Sequence, residues 1–269
     1  TMEFERLLNA AGPTEGHVIR ASDCKEPMRL GFINCVGSRD VKTNVHCSGG
    51  VCCMFNMKNA ILLKEKRPEI SCYIFYIDIR APFRGYEEFY NRARDIGIRF
   101  IRGRPSEVIE LENGNLVIRA EDTLKGEVRN IEVDLVVLGT GIVPHKDIEK
   151  ISKMLKIPRA ADGLLMEAHP KLGPVDTVLG GVFVAGGASG PKDIPFAVAQ
   201  GSGAASRAAR LLVTGKTKIE GITAASDESC VGCGLCVDVC PYGALTLDEK
   251  ENRVMVVEAI CKGCGKYTP

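Results

Sequence analysis

Residues 230 to 241 read Cys-Val-Gly-Cys-Gly-Leu-Cys-Val-Asp-Val-Cys-Pro, which spaces Cys230, Cys233, Cys236 and Cys240 to wrap thiolates around a cubane iron–sulfur cluster. In this pattern the first three cysteines hold one cluster, and the fourth, before the proline, ligates a second. A second run begins at Cys261 and Cys264. Its third cysteine would fall at position 267, where Tyr267 stands, and the sequence stops at Pro269. Crossed ligation gives one cluster Cys230, Cys233 and Cys236 and the other Cys240, Cys261 and Cys264, so each is one thiolate short. An altered or shortened tail, a ligand from water or a partner, and a vacant second site all satisfy that count. A structural zinc site or a disulfide framework fits less well. The run of four closes on Cys-Pro, and the amino terminus lacks the basic-then-apolar layout of a secretory signal.

Cys35, Cys47, Cys52 and Cys53 form another group. Leu30-Gly31-Phe32-Ile33-Asn34 reads as a buried strand that runs into Cys35-Val36-Gly37-Ser38-Arg39-Asp40, and Cys53 to Lys66 reads as the next helix. In a dinucleotide-binding domain this corner carries a GxGxxG loop, whose glycines let a pyrophosphate approach the helix start. Here four cysteines take its place, and tight NAD(P)H binding is not expected. Cys52 and Cys53 stand at the helix amino terminus, where the macrodipole favours thiolate. The alternative is a set of buried, small, apolar side chains. Cys24 and Cys72 read as plain core or surface thiols.

A third constellation is Gly181-Val182-Phe183-Val184-Ala185-Gly186-Gly187, followed by Gly190-Pro191-Lys192-Asp193-Ile194-Pro195 and a small-residue helix over Ala197 to Thr214. A strand that ends in paired glycines before a helix start offers backbone N–H groups to a phosphate or ribityl chain. Gly186, Gly187, Lys192, Asp193, Ile194, Pro195, Ala197 and Gln200 are the candidate flavin contacts. Lys192 is the candidate catalytic residue, its positive charge favouring a reduced, anionic flavin. A plain glycine turn with a solvated lysine is the other reading.

The elements that position these groups follow from periodicity. Cys72 to Ile77 and Ile98 to Ile101 read as strands, with a helix between them over Tyr86 to Ile96, which makes a parallel α/β sheet. Glu107 to Asp134 alternates around Asn113-Gly114-Asn115 and Lys125-Gly126-Glu127 as an antiparallel meander, and Val133 to Leu138 is a further buried strand. Gly215-Lys216-Thr217-Lys218 reads as a connector. With 45% hydrophobic and 26% charged residues over 269 positions, the composition is that of an ordinary globular chain, and a net charge of +1 gives no reason to propose nucleic acid. No apolar run approaches the ~20 residues of a membrane span. Six of the twelve cysteines fall by Cys72 and six lie from Cys230 onward, so two separate thiol chemistries in a reducing, cytoplasmic compartment are expected.

Taken together, these residues resemble the A subunit of heterodisulfide reductase, the flavin and iron–sulfur subunit of methanogens and of relatives in sulfate reducers. The likeness runs through Met2 to Arg6, Cys35 to Asp40, the Cys47/Cys52/Cys53 group, Gly85 to Ala93, His169-Pro170-Lys171-Leu172, Gly190 to Pro195 and the cysteine run at 230–241. The resemblance implies an α/β, thioredoxin-reductase-like, two-domain part of FAD/NAD(P)-binding Rossmann-like architecture, plus a small α+β ferredoxin-like domain. On that pattern, residues 1–29 are a lead-in segment of the flavin domain, and 30–141 are the Rossmann-like domain with an inserted cluster loop. Residues 142–222 are the carboxy-terminal half of the FAD-binding domain, and 223–269 are the ferredoxin-like domain with an incomplete second motif.

The resemblance further assigns Cys35, Cys47, Cys52 and Cys53 to a [4Fe–4S] cluster, although Cys47 stands one residue farther from the pair than in the family. FAD in the family is bound by an amino-terminal GxGxxG half and a later glycine-rich half. This chain shows only the later half and so looks like the carboxy-terminal portion of a longer protein. Gly187 stands where many relatives of the reductase fold place a ribityl-binding Asp. The implied activity is that of an oxidoreductase component in which FAD and [4Fe–4S] clusters exchange electrons by flavin-based bifurcation, one path toward ferredoxin and one toward a disulfide. The implied partners are other subunits of a heterodisulfide-reductase-like complex, a separate amino-terminal FAD half, and ferredoxin or hydrogenase/formate dehydrogenase electron donors. The rival is a non-catalytic electron conduit whose flavin half is vestigial. A nicotinamide-dependent disulfide reductase is disfavoured by the missing GxGxxG and by the lack of a CxxC outside the cluster regions.

Overall fold

The apolar run at residues 30–33 becomes the central strand of a parallel sheet, and the rest of the first unit is built around it. The computed structural model describes residues 1–215, 222–248, 250–258 and 260–265, in two units, Thr1–Ile142 and Val143–Pro269. The first unit opens with α1 (Met2–Leu8) and then alternates β1 (Arg29–Val36), α2 (Val51–Lys66), β2 (Ser71–Tyr76), α3 (Tyr86–Asp95) and β3 (Arg99–Arg102). The meander β4 (Pro105–Glu110), β5 (Leu116–Asp122) and β6 (Glu127–Val133) follows, and β7 (Leu135–Thr140) returns to the sheet. The parallel strands lie in the order β3-β2-β1-β7, and the meander is a separate antiparallel sheet.

Strand β1 is buried along six successive residues because it is covered on both faces. Its period of two sends Leu30 and Phe32 toward the helices, where they meet Met57, Ala60 and Ile74. Ile33 goes to the other face with Phe75, Ile118 and Val133. Gly31 shares that second face. A Cβ there would come within 2.3 Å of Ile118 Cδ1, so the meander packs on the sheet only because position 31 has no side chain.

Residues 1–29 pack within this unit. Phe4 of α1 is buried edge-on against Phe32, with ring centroids 5.4 Å apart, and Leu8 joins the same core. The amphipathic Phe4 and Leu8 spacing finds its apolar partner in the helical face of the sheet.

The second unit contains α4 (Ile148–Leu155), a 3₁₀ turn at Gly186–Ala188, α5 (Ile194–Thr214), α6 (Leu235–Val239), β8 (Leu245–Asp248) and β9 (Arg253–Val256). Ile157, Leu165 and Val184 make a small core with Ile148, Leu155 and Val182. The strand expected at residues 182–185 is reduced to a bridge between Phe183 and Asp176, because only residues 175–177 pair with it among the described residues. Helix α5 starts at Ile194 instead of Ala197. Asp193 caps it by accepting the Phe196 N–H at 2.9 Å, and Pro195 occupies the first turn. The connector at 216–218 lies outside the described residues. Among the described residues no helix is long and apolar enough to cross a membrane.

Candidate metal centres

The corner after β1 is shaped by a bulge. Ile33 pairs with Leu138 and Val36 with Thr140, so three steps along β1 match two along β7. Cys35 takes up the extra length at φ 61°, in the left-handed region. The chain then turns at Gly37 (φ 66°) and folds back on itself. The Arg39 N–H donates to His46 O at 3.3 Å, and Asp40 pairs with Asn44 while its carboxylate accepts the Lys42 and Thr43 N–H groups. This closed excursion returns Cys47 to the corner. Ser48 accepts the Ile142 N–H at 2.9 Å, and Gly50 (φ 91°) starts α2. A Cβ on Gly50 would press to 2.8 Å from Arg80 O, so the loop after β2 closes the corner from the other side.

Four thiols border that corner. Cys35, Cys52 and Cys53 are buried, while Cys47 is partly exposed. Cys52 lies within hydrogen-bonding reach of both Cys35 and Cys53. Its donated bond, helped by the Arg39 charge and by Ser38 and opposed by burial, brings the Cys35 thiol down to about 6. Cys53 is also lowered, by Cys52 and by the Arg80 backbone N–H, against its burial. Cys52 is driven strongly up because it keeps the proton that it shares between two flanking sulfurs. Arg39 feels the charge of both Cys35 and Cys47 and is anchored to Asp78 at 2.8 Å. All four predicted ligands therefore border one corner, at the amino terminus of α2, where the dipole adds to the bias toward thiolate.

Cys72, by contrast, is a core thiol pushed up to about 12 by burial, as the sequence suggested.

The donors around Cys35 fit an anionic, sulfur-rich group: Ser38 Oγ and Arg39 Nη1 are buried with no oxygen or nitrogen partner and face its sulfur. Among the described residues no three His, Cys, Asp or Glu side chains converge as for a single metal ion. A cubane takes each thiolate at a separate corner and needs no such convergence. The spacing of the cysteines marks them in the sequence, whereas nothing there gives Ser38 and Arg39 a role. Their importance depends on β7 crossing the corner. A Cβ on Gly141 would lie 2.7 Å from Ser38 Cβ, and one on Gly139 would lie 2.3 Å from Asn56 Nδ2, which donates to Asn34 Oδ1 at 2.7 Å.

In the second unit the cysteine run lies around α6. Gly232 (φ 68°) and Gly234 (φ 75°) bend the loop between Cys230 and Cys236. A Cβ on Gly232 would collide with Asn252 in the β8–β9 turn. Cys230 is lowered by the Val254 and Gly232 N–H groups. A cavity of about 450 Å³ is lined by Cys230 and Cys236 together with Leu245, Val254, Gly263 and Gly265. Cys240 accepts the Ala244 N–H at 3.4 Å, and Cys261 accepts the Ala224 N–H at 3.2 Å. The Tyr242 hydroxyl is raised by its own burial and then by the charges of Cys264 and Cys240. Position 267 lies outside the described residues.

The glycine pair and α5 make an open face. The Gly186 N–H donates to Gln200 Oε1 at 2.8 Å, which ties the turn to the helix. Gly187 is exposed with open space around its Cα. Lys192 is half-buried, and its Nζ donates to Ser189 Oγ at 3.0 Å and Gly190 O at 3.3 Å. Burial lowers its pKa, partly offset by Glu167 and Asp162. Asp193 is engaged as the helix cap, Ala197 touches the side of Gly186 where a Cβ would project, and Ile194 and Pro195 are exposed at the helix start.

A model of the 4Fe-4S binding domain matches residues 226–246. The chain is 54% identical over 259 residues to the second iron-sulfur A subunit of the CoB–CoM heterodisulfide reductase of Methanopyrus kandleri, in an alignment covering 95% of this chain and 39% of that relative. It is 51% identical to the A subunit of the H(2):CoB-CoM heterodisulfide,ferredoxin reductase of Methanothermobacter thermautotrophicus, again over 95% of this chain and 39% of the relative. The A subunit of the H(2)/formate:CoB-CoM heterodisulfide,ferredoxin reductase of Methanococcus maripaludis is 51% identical, over 96% and 40%. The chain thus spans about 39% of the length of the relatives it matches. Among solved structures, T. acidophilum thioredoxin reductase overlays with a TM-score of 0.44 at 17% identity, over 69% of this chain and 53% of that one.

Proposed function

As a homologue, over 95% of its length, of one stretch of the heterodisulfide reductase A subunit, this chain, we propose, is an electron-transfer portion of such a protein, carrying electrons between FAD and [4Fe–4S] clusters. Flavin exchanges electrons in pairs and each cluster one at a time, which is what allows a pair to be divided between two paths. The observation that carries the reading is the corner after β1, where four thiols and unpartnered donors replace a dinucleotide phosphate loop.

In this reading Cys35, Cys47, Cys52 and Cys53 hold one cluster. Cys230, Cys233 and Cys236 serve a second, and Cys240, Cys261 and Cys264 a third. The hydrogen bond from Cys52, the Arg39 charge and the α2 dipole favour the charged form of Cys35 that ligation needs. Gly186, Gly187, Lys192, Asp193, Ile194, Pro195, Ala197 and Gln200 form one side of the flavin site. There, Ser189 and Gly190 orient the Lys192 ammonium, whose charge favours the reduced, anionic flavin.

Support for a missing other side comes from α5. It buries none of its residues and exposes Ile194, Val198, Leu212 and Val213, whereas a helix of 21 residues normally packs an apolar stripe. The larger part of the relatives' length lies outside the aligned stretch, so a separate amino-terminal polypeptide segment is the natural cover. The relatives' names, with H2, formate, ferredoxin and the CoB–CoM heterodisulfide, support hydrogenase- or formate-dehydrogenase-type donors within a multisubunit complex.

Flavin retention tests this. The chain alone should lose FAD during anaerobic purification, and co-expression with a GxGxxG-bearing amino-terminal half should restore about one FAD per chain. Reducing that flavin should then give rise to the paramagnetic signals of reduced clusters. Tight, stoichiometric FAD in the chain alone would overturn the half-site argument. No flavin even with the partner would favour the plain electron conduit.

A further inference from the structure

Beyond the ligands themselves, the corner holds a pair of buried donors that no oxygen or nitrogen of the protein engages and that face the Cys35 sulfur. Ser38 is fully buried, and its Oγ has no oxygen or nitrogen partner. Arg39 commits Nη2 to Asp78 at 2.8 Å and leaves Nη1 buried without such a partner. Both side chains stand beside the Cys35 sulfur. A native fold rarely keeps a buried donor empty unless a ligand fills it.

The surrounding chain is arranged to keep these donors in place. Gly141 lets β7 pass so close to Ser38 that a Cβ there would lie 2.7 Å from Ser38 Cβ. Arg39 (φ 54°) follows Gly37 in a left-handed conformation, its N–H held by His46 O, while its guanidinium is fixed to the strand-end carboxylate of Asp78. Two strained residues, Cys35 and Arg39, thus frame one donor pair, and backbone strain persists where the structure has a use for it.

Resting on the corner reading above, we propose that Ser38 and Arg39 are positioning residues that donate hydrogen bonds to sulfur atoms of a cluster held by Cys35, Cys47, Cys52 and Cys53, and so raise its reduction potential. A donor or a fixed positive charge at a cluster sulfur stabilises the extra electron of the reduced state more than the oxidised state. The guanidinium offers both at once, and the hydroxyl supplies a second bond without charge.

The test uses the chain purified anaerobically with its clusters. The spectrum of the corner cluster is identified as the signal lost in a Cys52→Ser/Cys53→Ser variant. Ser38→Ala and Arg39→Gln should retain wild-type iron but shift the midpoint potential of that signal downward. Arg39→Lys, which keeps the charge, should shift it less than Arg39→Gln. Resonance Raman iron–sulfur bands should move on transfer of the wild type to D₂O, and Ser38→Ala should lose part of that sensitivity. Wild-type iron with unchanged midpoint and unchanged deuterium response in both variants would overturn the proposal. If Ser38→Ala loses iron, the Arg39→Gln and Arg39→Lys comparison decides it alone. If the Cys52→Ser/Cys53→Ser variant keeps all its iron, the corner reading itself fails and this inference with it.

Discussion

Cys35 occupies a left-handed backbone position that costs a non-glycine residue about 1–3 kcal/mol. Glycine would be the cheaper choice at a bulge. The sequence made the cysteines legible because their spacing and their place at a strand-to-helix corner are visible in one dimension. Ser38 and Arg39 sit in the same stretch but gained no role from it, since their unpartnered donors become apparent only when β7 and the end of β2 close over them.

Asp134 shows the same dependence on distant chain. Its carboxylate accepts the Met28 and Arg29 N–H groups at 2.8 and 2.9 Å and pairs with the Arg29 guanidinium at 3.0 Å, more than 100 residues away in sequence. Burial pushes its pKa up, but these bonds outweigh burial and hold it below the ordinary carboxylate value. A carboxylate lowered in the folded state stabilises the fold above its unfolded pKa, about 4, and loses that contribution as pH falls through the lower folded value. Asp134→Asn should therefore be less stable than wild type near pH 7, with the gap closing below about pH 4. Denaturant titrations at several pH values check this, and a gap that does not change with pH would contradict it.

At the scale of elements, α2 and the parallel strands were readable because buried runs alternate with helical stretches at the spacing of strand–helix–strand units. Helix α5 begins at Ile194, three residues before the small-residue stretch suggests. The glycine-rich turn masked an Asp-Ile-Pro signal that marks a helix start, a capping carboxylate followed by proline in the first turn. The expected strand at 182–185 shrank to one bridge for the opposite reason: its pattern is right, but a strand needs a neighbour. The cap carries its own prediction. Asp193→Ala should cost about 1 kcal/mol at the helix start, and amide exchange at Phe196 and Ala197 should speed up roughly fivefold. Asp193→Asn, which can still cap, should leave exchange near wild type. Equal exchange in all three proteins would show that the cap does not hold the turn beneath Gly186 and Lys192.

At the scale of the whole molecule, composition and cysteine distribution separated two thiol chemistries, and each falls in its own unit, Thr1–Ile142 and Val143–Pro269. The Phe4–Phe32 contact joins the amino-terminal segment to the central strand, a pairing that only the folded sheet brings together. The proposed function depends most on the corner after β1 holding an iron–sulfur cluster in place of a dinucleotide. The direct measurement is iron and acid-labile sulfide per chain in anaerobically purified wild type and in Cys52→Ser/Cys53→Ser, with Cys72→Ser as the core-thiol control. The corner reading predicts a loss of about four irons and four sulfides in the double variant and none in the control. Iron and sulfide unchanged in the double variant would contradict it.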